Sequence, residues 1–313
     1  MKKTMLALSG ALALVSGVAN AAMITTWDYK NDAGFIFAEP DVVIESGLQP
    51  ADVLSVDTHT KLTWGDSIDG LPKSSLVVDS PVSGSLSTVA YGDSIQDSDY
   101  VDGTTMTHNN YRIGGPSSNY LSSAVLLDGL RLTATGWDAL PPFAGGPSNE
   151  IEIGLGFDFI ETPNRPESGI CVDGKVAGTD FDDVDPNEGA GCDDYFILKP
   201  TPGVTFSIDA LNEIVEFKVV FDLLDYGLSP VEAQALDLNT VYEVTTRLTG
   251  LAPVTDFCGN QTVPCVGFAT KELEENNLFA EFAIRAIPEP ASIAIFGLGL
   301  FGLSMAARRK RQS

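Results

Sequence analysis

Side chains able to do chemistry are few in kind along these 313 residues. There are two histidines, His59 in Thr58-His59-Thr60 and His108 in Thr107-His108-Asn109-Asn110. A nucleophile triad needs a Ser or Cys with a base and an orienting group, and no G-x-S-x-G elbow accompanies either histidine. In an extended strand His108 shares a face with Met106 and Asn110, while Thr107 and Asn109 point the other way. The favoured reading is a polar strand-to-turn junction, where Asn109 and Asn110 tolerate left-handed backbone and His108 hydrogen-bonds a loop. His59 has less around it. Carboxylates are the opposite case. With 43 Asp and Glu, some pair stands ~5–10 Å apart by abundance alone, so a glycosidase-like pair names no site.

The most specific cation signal is Thr179 to Tyr195, TDFDDVDPNEGAGCDDY. With Asp183 first, Asp185 falls third, Asn187 fifth and Asp194 twelfth, the outline of a calcium loop. It departs from that outline because glycine comes seventh (Gly189), Pro186 intrudes and no flanking helix is expected. Asp180 or Asp182 would replace a missing ligand. The competing reading is a solvated acidic loop held by a bridge at Cys192, and calcium is the one cofactor left open. The four cysteines are Cys171, Cys192, Cys258 and Cys265. In an exported chain an even count reads as disulfides, with three connectivities open. Sequential pairing, Cys171 to Cys192 and Cys258 to Cys265, is expected because each pair brackets a turn-rich loop. Each bridge contributes ~2–4 kcal/mol on the chain-entropy view. Zinc is the weaker alternative, since there is no Cys-x-x-Cys and both histidines are distant in sequence.

The elements that must position these residues read as strands. Ile151, Ile153, Leu155, Phe157 and Phe159 alternate with Glu152, Gly154, Gly156 and Asp158, the period of a half-buried strand. Val215, Phe217, Val219 and Phe221 repeat the pattern, as do Leu278, Ala280, Phe282 and Ile284. Tyr242 to Leu248, Leu130 to Thr135 and Leu62 to Trp64 are weaker versions, and Pro141 to Pro147 is a turn-rich interruption. Alternation without long helices predicts an all-β, antiparallel, jelly-roll-like sandwich. Ser229-Pro230-Val231-Glu232 is a capping box that opens one short helix to about Leu238. No internal repeat is present.

The two ends set the domain limits. Lys2 and Lys3, the apolar Met5 to Val18 and Ala19-Asn20-Ala21 form a signal peptide over 1–21, so the mature chain starts near Ala22 or Met23. At the far end an uncharged apolar run, Ala291 to Ala307, precedes Arg308, Arg309, Lys310 and Arg311. As a helix it spans ~25 Å, the lower limit for a bilayer core of ~30 Å. The cations stay cytoplasmic under the positive-inside rule. Pro288-Glu289-Pro290 then sits at the outer face, held extended by its two prolines. Gly297, Gly299 and Gly302 spell G-x-G-x-x-G, but the strand, helix and acidic partner of a dinucleotide site are missing. Those glycines suit close helix packing in a membrane. Between the ends, residues 22–286 keep 12 of the 18 Lys and Arg and 42 of the 43 Asp and Glu, a net charge of −30. Such a surface repels nucleic acid and keeps an exported protein soluble.

The order Pro288-Glu289-Pro290, apolar helix, basic cluster resembles the PEP-CTERM sorting tail of Gram-negative bacteria. That resemblance implies recognition and removal of 287–313 by an exosortase, a membrane-embedded cysteine transpeptidase-like enzyme. Thr107, His108 and Asn110, preceded by Thr104 and Met106, further resemble the motif of the THxN family of such proteins. Thr63-Trp64-Gly65, Glu161-Thr162-Pro163-Asn164 and the Cys171 to Cys192 loop are also similar to that group. The family implies no activity, but does imply association with exopolysaccharide. The expectation is therefore a non-catalytic exported protein, anchored in the inner membrane as a precursor and then delivered to the envelope or extracellular matrix. The alternative is a carbohydrate-binding module whose exposed Trp27, Trp64 or Trp137 stacks on sugar rings. A secreted hydrolase has no motif behind it.

Overall fold

In the computed structural model the described residues are 23–137, 148–162, 192–223, 241–254 and 266–287, without positions 69, 200, 202, 203, 205, 210 and 273. The signal peptide, the short helix, the turn-rich 141–147 and the tail from Pro288 onward lie outside them. No helix among the described residues is long and apolar enough to cross a membrane.

The described chain is almost entirely strand. The first group is β1 (Ile24–Glu39), β2 (Ile44–Gln49), β3 (Thr58–Trp64), β4 (Asp66–Ser67), β5 (Ser74–Asp79) and β6 (Val82–Val89). Next come β7 (Val101–Asn109), β8 (Ile113–Gly114), β9 (Ser123–Trp137), β10 (Ser148–Ile160) and β11 (Asp194–Leu198). The last are β12 (Phe206–Asp209), β13 (Ile214–Asp222), β14 (Val241–Thr249), β15 (Pro253–Val254), β16 (Val266–Thr270) and β17 (Glu275–Ile287). Period-two patterning produces these strands where it was expected: Ile151, Leu155, Phe157 and Phe159 are buried on β10, as are Val215, Phe217 and Phe221 on β13.

One sheet of fifteen strands runs β12-β13-β14-β17-β7-β5-β3-β1-β9-β10-β11-β16-β15, with β2 on β3 and β6 on β1 and β17. It folds back on itself at the β3–β1 joint, where Phe35 faces His59. Glycine permits that corner, since a Cβ at Gly34 would stand 2.3 Å from Thr58 Oγ1. β6 pairs antiparallel with β1 and parallel with β17, so it too links the two layers. The result is sandwich-like, but its layers are parts of one sheet rather than two separate ones. Rings meet between strands far apart on the path: Trp27 of β1 touches Tyr242 of β14 at 5.2 Å, and His108 of β7 touches Phe196 of β11 at 5.4 Å. Two apolar clusters fill the interior, one around Trp27 and one around Trp64.

Candidate functional site

The histidine motif lies at the end of β7, between β5 and β17, and strand alternation sorts its residues onto two faces. Thr107 and Asn109 face outward, where Thr107 donates to Asn277 Oδ1 at 2.6 Å and Asn109 to Ser75 Oγ at 3.3 Å. His108 and Asn110 face inward and are buried. The His108 ring stacks on Trp64 at 5.5 Å and takes the edges of Phe159 and Phe196 at 5.3 and 5.4 Å. Its Nδ1 lies 3.0 Å from Thr270 Oγ1, whose own O–H donates to the Asp194 carbonyl at 3.3 Å. Because Thr270 spends its proton on Asp194, it accepts from Nδ1–H, which makes Nε2 the unprotonated nitrogen. Burial pushes the imidazole down to about 3, so the ring is neutral. Among the described residues, Nε2 and both amide atoms of Asn110 are buried without a hydrogen-bond partner.

Two carboxyl groups complete the cluster. Trp64 donates its indole N–H to Glu161 Oε2 at 2.8 Å. The next residue, Thr162, donates its amide to Asp194 Oδ1 at 2.7 Å, and its hydroxyl lies 2.9 Å from the Cys192 carbonyl. Burial raises Glu161 to about 8 and holds Asp194 well above the usual carboxylate range, with the charge of Glu272 adding to both. A neutral carboxyl avoids the cost of an ion in the interior, which is why the fold tolerates two side by side. Glu161 Oε1 and Asp194 Oδ2 are themselves buried and have no hydrogen-bond partner among the described residues.

Four sequence signals that lie far apart in the chain therefore meet: Trp64, His108 with Asn110, Glu161-Thr162, and Cys192 with Asp194. The cluster brings Thr162 against Cys192 and Asp194, which lie on either side of residues 163–191 in the sequence. Cys192 is buried and is not a free thiol. Asp194, the twelfth position of the calcium outline, heads β11 with Oδ1 engaged by Thr162. Asp183, Asp185, Asn187, Cys171, Cys258, Cys265, Pro288, Glu289, Pro290, Arg308, Arg309, Lys310 and Arg311 lie outside the described residues. Among the described residues no group of three or more His, Cys, Asp or Glu is placed to hold a metal ion. Thr270 and Glu272 belong to the cluster and were missed. The signal for Thr270 was a hydroxyl at an inward position of the apolar strand VGFAT.

Chemically the cluster stores protons, and His108 Nε2, Glu161 Oε1 and Asp194 Oδ2 are buried away from the surface. The structure overturns the sugar-stacking reading for two of the three tryptophans. Trp27 is 0% and Trp64 1% exposed, so neither presents a ring to a sugar. Each indole instead caps a core, and the side chain of Trp137 lies outside the described residues.

Comparison with known families agrees with the tail. Residues 286–311 match the PEP-CTERM protein-sorting motif. No curated protein matches the chain. The match covers the tail and only the last two residues of β17, and it implies a sorting signal for exosortase processing and an exported protein at the cell envelope.

Proposed function

We propose that this chain is a non-catalytic cargo protein of the THxN kind, exported to the envelope or extracellular matrix. In this reading residues 1–21 are a cleaved leader and 291–307 hold the precursor in the inner membrane. Arg308, Arg309, Lys310 and Arg311 fix its topology, and an exosortase reads Pro288-Glu289-Pro290. The observation that carries the reading is the sorting-motif match over 286–311, with its three parts in the order that membrane physics requires. Burial of His108 and Asp194, two residues suited to acid–base work, is consistent with that reading. Disulfides Cys171–Cys192 and Cys258–Cys265 and association with exopolysaccharide belong to the same reading.

The test is processing. Replacing Glu289 and Pro290 together by Ala leaves export intact and blocks maturation, so intact mass spectrometry of the envelope fraction finds a precursor that keeps the apolar run and basic tip. A mutant that matures to the wild-type mass overturns the sorting role.

A further inference from the structure

The outward face of the motif strand opens onto a cleft of about 460 Å³, within the ~300–1,000 Å³ of small-ligand sites. Its floor is a cross-strand row in which Thr63 of β3 faces Ser75 of β5, and Ser75 faces Asn109 of β7. Lys61 stands two residues back along β3, and Lys73 and Tyr111 rise from the segments flanking β5 and β7. The wall is pinned: Ser74 donates to the Tyr111 carbonyl at 2.9 Å and accepts the Tyr111 amide at 3.1 Å. Glu275 continues the row beyond Asn109, outside the cleft lining.

Charge sets this place apart. The chain carries a net charge of −25, and its other described cations are engaged. Lys30 and Arg131 share Asp52, Lys199 meets Asp158 at 2.7 Å, and Arg247 and Arg285 hold Glu281 and Glu243 at 2.8 and 2.5 Å. Among the described residues Lys61 makes no ion pair, and Lys73 reaches only Asp66 at 3.9 Å. An ammonium left unpaired on so acidic a surface, beside a second loosely held one, is a local positive potential in an open cleft. Two hydroxyls, an amide, a phenol and the ring of Pro72 complete the lining, and its polar groups match a ligand bearing one carboxylate and several hydroxyls.

We propose that this cleft binds a carboxylated sugar, with Lys61 and Lys73 on the carboxylate and Thr63, Ser75, Asn109 and Tyr111 on the ring hydroxyls. The proposal rests on the polysaccharide association suggested above and gives it a site and a sign of charge. The test titrates galacturonate, trigalacturonate and uncharged galactotriose into the processed protein by calorimetry, with the Lys61→Gln/Lys73→Gln protein alongside. Trigalacturonate is expected to bind, galactotriose not, and the double variant is expected to lose about tenfold or more in affinity at unchanged Tm. Binding of galacturonate as tight as the trimer would place a free acidic sugar in the cleft, whereas binding of the trimer alone would assign it to a polymer. If acidic and neutral trimers bind alike and the variant is unaffected, the cleft assignment falls while the glycan association stands. If nothing binds, both fall.

Discussion

Two tryptophans close the two halves of this interior, and they do so with different partners. Trp27 packs edge-on against Phe221 and Tyr242 at 6.2 and 5.2 Å and donates to Thr88 Oγ1 at 2.8 Å. Thr88 passes its own proton to the Ile24 carbonyl at 2.5 Å, and the Ile24 amide donates to the Tyr242 hydroxyl at 3.0 Å. Every link there is neutral. Trp64 is equally buried and donates over the same 2.8 Å, but its acceptor is Glu161 and its stacking partner is His108. Burial and donor are alike in the two halves, so the acceptor decides which half responds to pH. The neutral half is a plain core. The other is a core that stores protons.

Cutting either indole away tests how far the likeness goes. Trp27→Ala and Trp64→Ala are each expected to cost about 3–5 kcal/mol in urea unfolding at pH 6, the range for deleting a large buried ring. A cost below about 1 kcal/mol at either position would mean that its ring is not a core element.

The contrast sharpens with pH. Glu161 and Asp194 hold protons more tightly in the folded chain than in the unfolded one. Their stabilisation is complete below the ordinary carboxylate range and is lost as pH rises, for Glu161 through about 8. His108 works the other way. Depressed to about 3, it contributes fully above the ordinary imidazole value of ~6.5 and loses that contribution as pH falls. Between about pH 6.5 and 8 His108 no longer contributes to the pH dependence, and stability is expected to fall by up to about 1.4 kcal/mol per pH unit on account of Glu161. Glu161→Gln keeps an acceptor for Trp64 and removes one titration, so its slope in that window is expected to be visibly flatter. An unchanged slope in the variant would remove Glu161 from the account.

Much of the strand pattern was legible because alternation is a local signal: β10, β13 and β17 read directly from Ile151 to Phe159, Val215 to Phe221 and Leu278 to Ile284. β1 was not legible, because Lys30-Asn31-Asp32 interrupts its apolar pattern. In the fold Asn31 donates to Asp128 and the Gly129 carbonyl and accepts from the Thr104 amide, while Asp32 accepts from Ser80 and Gln49. Those partners lie across the sheet, and no window of sequence contains them. The cluster around His108 was legible in its parts and not in its assembly. Trp64, Glu161 and Thr162 stood out beside the histidine motif, but a period of two says which face a side chain takes and not which distant strand covers it. The same limit explains the tryptophans, whose burial depends on layers that close only in three dimensions.

The smallest expected effect lies at the neutral half. Thr88→Val keeps the shape of the side chain and deletes the hydroxyl that links Trp27 to Ile24. It leaves a buried indole N–H and a buried carbonyl without that partner, at an expected cost of about 1–3 kcal/mol. Nothing in the Trp27–Thr88–Ile24 chain titrates near neutrality, so the loss should be the same at pH 6.5 and at pH 8, with the wild-type slope preserved. Paired urea titrations of wild type, Thr88→Val and Glu161→Gln at those two pH values make the comparison complete, since one variant shifts the stability line and the other tilts it. A Thr88→Val loss that grows with pH would mean that the two halves are coupled through the sheet, and the protons stored under Trp64 would then be felt throughout the sandwich.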